Sequence, residues 1–556
     1  MVKSKGLVVL LIVFITASLV LSGCGQDKET NSSNEITSDK LAKEQILRVD
    51  WGDEPPSLDP QLTGDLVSGA ILIETLEGMI RLDEYGKVKE GSGMAKSWDV
   101  TEDGTKYTFH LRDAKWSDGK EVTAQDFEYS WKRAINPETA SSYAFLAYDI
   151  KNAEKFNKGE IKDENKLGIK ALDKKTLEVK LERPNPAFLS KLQTFTFLPS
   201  RKDLVEKWGD KYGSEVEYLV SCGPFKVTKW VHEAELILEK NEDYWDKENV
   251  KLQRVEGTMI KNSNTAINMY ETGALDFTNI SAEYLEKYED VMKKAPVAAT
   301  YYHAFNTENE FFKNKNIRKA FVLSIDRKRI LDLRTNGMYP AAYGFVPPGM
   351  PGPGKKTFRQ ANGDLFHDLG KGEEVKKEAK DLLDKGLKEL GKSKEDIDGE
   401  IKLLCTEGDS TLALAQIWQQ AWKEVLGIDV GIEQATFKIR LDRQDKGDFD
   451  LSYTNWWGDY NDPMTFMDMW VKDGSQNMTN WSNPQYDKLI KKAQTTTGDE
   501  RMEAMLEAEK ILMEELPIAP HDFGVKVYIE KPYVKGVVRL PLQILQGLKH
   551  AYVLEH

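Results

Sequence analysis

The sequence predicts a mixed α/β protein of two or three domains. Strand-like and helix-like segments alternate along the chain, no fixed-period repeat interrupts them, and the body from residue 46 to 556 is longer than one hydrophobic core serves. Lys106 to Arg112 (KYTFHLR) alternates apolar and polar residues, as a half-buried strand does, and so does Thr176 to Glu182 (TLEVKLE). Thr411 to Gly427 predicts an amphipathic helix with Leu414, Ile417, Trp418, Ala421, Trp422 and Val425 on one face and Gly427 as its stop. Ile428 to Glu433 (IDVGIE) then predicts a strand. Asn483 and Pro484 fit the N-cap and first position of a helix, and Asp499 to Leu516 predicts another, ending near Pro517. Gly349 to Lys356 nearly matches a phosphate-binding loop. It lacks the final hydroxyl residue and carries two prolines, so it predicts a surface loop.

The first residues address the chain. Lys3 and Lys5 precede an apolar run from Leu7 to Leu21 that breaks at Ser22-Gly23-Cys24. A basic head, a short apolar stretch and small residues form an export signal, and the run is short for a transmembrane helix. Leu21-Ser22-Gly23-Cys24 also resembles a bacterial lipobox, which implies cleavage before Cys24 and lipid on its sulfur. An uncleaved anchor or an ordinary signal peptide is the alternative. The segment that follows Cys24 is polar, cannot bury enough surface to offset chain entropy, and predicts a flexible tether. A lipid-anchored protein on the extracytoplasmic face of the cell membrane is the expected result.

Composition excludes several classes. The formal charge is −14, and loss of Lys3 and Lys5 makes it more negative, which argues against nucleic acid as a partner. No two of the seven histidines have metal-ligand spacing; His232-Glu233 begins like a zinc-protease helix, but no second histidine follows. No G-x-S-x-G nucleophile elbow is present. The sequence points to no cofactor, no metal and no enzymatic chemistry, although a carboxylate pair for glycoside chemistry stays open. Besides Cys24 only Cys222 and Cys405 remain, and two buried thiols are expected.

Several long stretches carry a family resemblance. They include Ala95 to Ala140, Ser57 to Gly69, Cys222 to Trp230, Asn241 to Leu252, Asn316 to Arg327, Gly344 to Gly349 and Trp456 to Phe466 (WWGDYNDPMTF). Over residues 46–556, in this order, they resemble the oligopeptide-binding proteins, the extracytoplasmic receptors of peptide ABC importers (solute-binding family 5). The resemblance implies a bilobal periplasmic-binding-protein-like fold with two hinge crossings and an additional inserted domain. It implies a signal peptide at 1–23, a tether at 24–45, and domain I from 46–70, 197–300 and 520–556. Domain II, the insertion, would span 71–196 and domain III 301–519, with crossings near Thr300 and Pro520-His521. It also implies an oligopeptide ligand, delivery to a membrane permease, and a monomer.

Carried onto this chain, the resemblance places Gly64-Asp65-Leu66 and Asn455-Trp456-Trp457 on either side of a peptide backbone, pairing with its amides and carbonyls. Asp459 would meet the peptide's α-ammonium, Gly458 would let the chain approach closely, and Tyr143 of the inserted domain would sit near the same end. Asn279 matches a pocket position, with simple loop capping as the alternative. Asp459 could instead cap a helix or sit solvated in a loop, and Trp456 and Trp457 could be core. Tyr453 stands where some relatives have an arginine for the peptide's carboxylate, so peptide length selection is left open. The alternative functions are a non-peptide solute (a nickel chelate or an oligosaccharide), a peptide-sensing surface lipoprotein, and an exported hydrolase.

Overall fold

The computed structural model describes residues 39–83, 87–185, 187–335, 337–539, 542 and 547–556. The apolar leader, Cys24 and the tether as far as residue 38 lie outside the described residues. The first sheet has the order β1 (Ile46–Asp50), β8 (Arg254–Thr258), β7 (Glu235–Lys240), β6 (Phe225–Val231), with β1 and β8 parallel and the other neighbours antiparallel. Gly257 in β8 makes room for Trp51, whose indole N–H donates to the Leu236 carbonyl at 3.1 Å; a Cβ at residue 257 would overlap that ring.

The second sheet lies within the stretch expected for the insertion. Its order is β2 (Ala95–Val100), β3 (Lys106–Leu111), β5 (Thr176–Lys180), β4 (Ile169–Asp173), all antiparallel. The two strands legible in the sequence are β3 and β5, paired from Lys106–Lys180 to His110–Thr176. The helix Ala124–Ile135 packs on this sheet and buries Phe127 and Trp131.

The third sheet has six strands: β12 (Gly431–Ala435), β11 (Lys402–Thr406), β13 (Leu451–Trp457), β10 (Lys293–Phe305), β14 (Ile518–Glu530) and β9 (Phe277–Asn279). β10 and β14 are antiparallel and each is thirteen residues long. One end of β10 pairs with β13, while the far end of β14 pairs with β9. The long pair thus spans from one region of the molecule to the other. Thr300 faces Phe523, Tyr302 faces Pro520, and the register shifts between Pro296 and Thr300 and again between Tyr301 and Tyr302. β15 (Val534–Lys535) and β16 (Tyr552–Val553) form a short separate pair.

Two element expectations need correction. The helix expected from Thr411 begins at Asp409, and Ile417 is 38% exposed, not part of the buried face. The face instead centres on Trp418 and Trp422, whose indole N–H groups donate to His521 and to the Phe321 carbonyl; this turns Ile417 outward. The strand expected from Ile428 begins only at Gly431, because Gly427 ends the helix in the left-handed region and Ile428 and Val430 are buried before pairing with β11 starts. Asn483 and Pro484 do cap and open the helix Pro484–Thr495, and the helix Gly498–Glu515 ends before Pro517. Residues 349–356 form a loop, and Cys222 and Cys405 are buried free thiols. Among the described residues no helix is long and apolar enough to cross a membrane.

Candidate functional site

The site gathers where β13 ends beside the long strand pair. Side chains along β13 alternate: Ser452, Thr454 and Trp456 are buried, whereas Tyr453, Asn455 and Trp457 are half-buried. The second set shares one face of the strand, as the two-residue period requires. Asn455 stands opposite Tyr301 of β10. Tyr453 packs against Tyr301 and Trp418. Trp457 keeps its indole N–H shielded and without a hydrogen-bond partner among the described residues.

Trp456 points to the other face. Its indole N–H donates to the Thr465 carbonyl at 2.7 Å, and its ring stacks on Tyr143, with centroids 6.0 Å apart and planes at 15°. Tyr143 also packs on Phe195 and Phe145. Gly64 lies against the same residues; a Cβ there would be 3.3 Å from the Tyr143 ring and 3.1 Å from the Ser142 hydroxyl. Gly64, Tyr143 and Trp456 are therefore brought together from three distant parts of the chain. Asp65 acts locally. It caps the helix Leu66–Thr75, its carboxylate accepting from the Ser68 N–H at 2.9 Å. Burial pushes its pKa up to about 6, against the hydrogen bond from the Ser68 N–H. Leu66 is the first residue of that helix and is half-buried.

Gly458 continues β13, its N–H donating to the Ala298 carbonyl at 2.7 Å. Its φ is not positive, so the backbone does not require glycine there. Space is tight: an added Cβ would lie 3.2 Å from the Phe466 ring, which would have to give way by a few tenths of an ångström. Asp459 follows and is 0% exposed, which overturns the solvated-loop alternative. Its N–H donates to the Thr465 hydroxyl at 2.9 Å, and that hydroxyl donates to the Asp459 carboxylate at 3.1 Å. Burial first, then the charge of Asp468, holds the Asp459 carboxyl well above the usual carboxylate range, with Thr465 and Lys191 pulling the other way. Burial likewise pushes Asp468 up to about 7, with Lys191 opposing. Such a carboxyl gains most from an arriving cation, because ionisation in a dry site demands an opposite charge.

Asn279 is not part of this gathering. It is exposed on the edge strand β9, paired with Tyr528 near the far end of β14. Thr465, Asp468, Tyr460 and Lys191 surround Asp459 and were not singled out from the sequence. Tyr460 and Thr465 fall within the WWGDYNDPMTF stretch, which could have flagged them, and Asp468 lies two residues beyond it; Lys191 arrives from a distant segment with no local signal. Among the described residues no group of three or more His, Cys, Asp or Glu side chains is arranged to hold a metal ion.

A two-lobed α/β frame, crossed by a long strand pair and carrying a half-buried aromatic and acidic cleft, defines a solute-binding protein of the periplasmic-binding-protein type. The chain belongs to the bacterial extracellular solute-binding proteins, family 5, whose middle region matches residues 91–478. It is 37% identical over 553 residues to the oligopeptide-binding protein OppA of Bacillus subtilis, covering 97% of each chain. Among solved structures it resembles the substrate-binding domain of an oligopeptide ABC transporter from Bacillus anthracis, with a TM-score of 0.88, 34% identity, and 93% and 100% of the two chains covered. It also resembles Listeria monocytogenes OppA bound to peptide, with a TM-score of 0.86, 32% identity and the same coverage.

Proposed function

We propose that this chain is an extracytoplasmic receptor that captures oligopeptides by lobe closure on the peptide backbone and hands them to the membrane permease of an ABC importer. The observation that carries the reading is Asp459: a fully buried carboxyl at the end of β13, the strand whose Trp456 stacks on Tyr143. An α-ammonium titrates near ~8 and is charged at neutral pH, so it suits that site. The backbone of Asn455-Trp456-Trp457, with that of Gly64-Asp65-Leu66 near it across the Tyr143–Trp456 stack, would pair with peptide amides and leave side chains free to vary. The peptide-bound and oligopeptide-named relatives support the same reading. We place domain I at 46–70, 197–300 and 520–556, domain II at 71–196 and domain III at 301–519, hinged at Thr300 and Pro520-His521. The receptor acts as a monomer, without catalysis, on a lipid anchor at Cys24.

Native mass spectrometry of the purified protein tests this: a population of retained peptide masses that leaves on denaturation is expected. Calorimetry with an unmodified tetrapeptide should show binding, and incubation with a peptide mixture should yield no cleavage products. Cleavage, or an absence of peptide binding, would refute the reading.

A further inference from the structure

The crossing at Pro520-His521 carries chemistry that peptide capture does not use. β14 pairs with β10 through Tyr301–Asp522 and then through Tyr302–Pro520, so His521 is the extra residue of a bulge. Its carbonyl accepts from the Ala342 N–H at 3.1 Å. Its side chain is fully buried, with the Trp418 ring 4.9 Å away and the His303 ring 6.1 Å away, centroid to centroid.

The hydrogen bonds fix the protonation state of this ring. An indole N–H only donates, so His521 Nε2, 2.9 Å from the Trp418 nitrogen, accepts and carries no proton. The other nitrogen, Nδ1, donates to the Asp522 carboxylate at 2.8 Å. His521 is thus neutral here, and through Trp418 it ties β14 to the helix Asp409–Leu426. A proton arriving at Nε2 sets one donor against another and breaks that tie, while the carboxylate at Nδ1 favours the charged ring.

A second acceptor lies close by. His303 of β10 is buried, its ring packs edge-on against Trp418 at 4.3 Å, and its Nε2 has no hydrogen-bond partner among the described residues. Burial first, then the charges of His521 and Arg327, holds His303 well below the usual histidine range, so it stays an uncharged ring. The other groups that face the pair do not compete for the proton. Tyr453 of β13 packs on His303 and Trp418, and Tyr301 of β10 pairs with Asp522. With Tyr339, whose phenol acts on that of Tyr301, they are neutral below pH ~10. Arg327 donates to the Pro520 carbonyl at 2.7 Å and is matched by Asp368 at 3.2 Å.

We propose that His521 is a pH-operated catch at the hinge. Neutral, it holds the crossing to the helix Asp409–Leu426 through Trp418; protonated, it turns its new N–H to His303, loosens the crossing and speeds peptide release. The effect on release rests on the reading of this chain as a hinged peptide receptor; the exchange of partners at His521 does not.

The test loads the purified protein with a tetrapeptide labelled at its C-terminus and follows release into excess unlabelled peptide by stopped-flow fluorescence. Between about pH 7.5 and about pH 5 the wild-type rate should rise about tenfold. His521→Gln keeps an amide oxygen for the Trp418 N–H and does not titrate, so its rise should stay under about threefold. Whatever Asp459 adds to the pH dependence is common to both proteins. His303→Phe removes the second acceptor and should move the rise to lower pH. An equal rise in the wild type and His521→Gln would overturn the proposal. If His521→Gln does not fold, an unmoved rise in His303→Phe would overturn it. Histidine-selective nitrogen NMR of the peptide-free wild type reads the ring itself, with the His521 signal identified by its contacts to the Trp418 indole proton. The Nδ1–H form should give way to imidazolium over the same range. A ring that stays neutral throughout would overturn the catch even where peptide binds, whereas a ring that titrates in a protein that binds no peptide would leave the catch standing and refute the receptor.

Discussion

Replacing Asp459 with asparagine should weaken peptide binding and stabilise the empty protein, and the two effects share one cause. The side chain is 0% exposed, so neither water nor salt screens it. A peptide ammonium brought into that site without a carboxylate is a buried charge without its partner, which costs about 3–5 kcal/mol. Lys191 adds repulsion, while Asp468 still attracts from close by, so the loss should fall nearer the lower end. That is a decrease of affinity of about two to three powers of ten. For the empty protein the sign reverses. The Asp459 pKa is raised in the folded state, so the folded state holds its proton at pH values where the unfolded chain has lost it. Stability therefore falls as pH rises above the unfolded value of ~3.9 towards the folded one, and asparagine removes that loss. Calorimetry of an unmodified and an N-acetylated peptide, with melting curves of peptide-free protein at several pH values, reads both effects. Acetylation should hurt the wild type far more than the variant. Retained affinity, or a lower melting temperature at neutral pH, would refute the reasoning.

Three further outcomes follow from the same geometry. Tyr143→Ala removes a ring buried against Trp456, Phe195 and Phe145 and should cost about 3–5 kcal/mol of stability in denaturant titrations, whereas Tyr143→Phe keeps those ring contacts and should cost less. Lys191→Met leaves Asp149 without its 2.6 Å partner in a largely buried place, so the same titrations should show a loss of about 3–5 kcal/mol. Burial raises both the Cys222 and Cys405 thiols, the latter to about 11, so neither should react with a thiol reagent at pH 8 until denaturant is added.

The sequence made the frame legible where local chemistry decides structure. Alternation identified β3 and β5, and Asn483-Pro484 marked a helix start to the residue. It was less informative where tertiary packing decides. Ile417 fits the apolar stripe by spacing, but the hydrogen bonds of Trp418 and Trp422 set the rotation of the helix. Asp459 stood out because it sits among aromatic residues in a long family match, yet its burial came only with the fold. Lys191 and Asp149 lie far from Asp459 in sequence and carry no motif, so their place near it depends on how the second sheet packs against the third. Asp65 shows the reverse: a residue expected at the cleft has a local capping role that its position before an apolar helix already implied.

The contacts that join the two sides of the cleft bear on how closure works. On one rim the Lys261 ammonium meets Glu407 at 2.8 Å and the Asn262 amide donates to Asp409 at 2.7 Å. On the other, Ser475 and Gln476 donate to the Ser142 carbonyl at 2.8 and 2.9 Å. The Lys261 and Asn262 contacts and that of Ser475 are solvent-exposed, and an exposed ion pair contributes about 0–1 kcal/mol. The buried contribution from the protein itself includes the stacking of Tyr143 on Trp456 and the Lys191 ammonium 4.7 Å over the Tyr460 ring. Against this, opening exposes Asp459 to water and relieves a carboxyl that burial disfavours. The empty protein thus has one electrostatic reason to open, the burial of Asp459, set against the attraction of Lys191. On the proposed role of Asp459, a peptide would reverse the balance, because its ammonium would gain from that carboxyl only when the site is dry. It binds the closed form better than the open one, and that difference in affinity is what shifts the population. The register shifts between Pro296 and Tyr302 lie at the proposed hinge in the long strand pair.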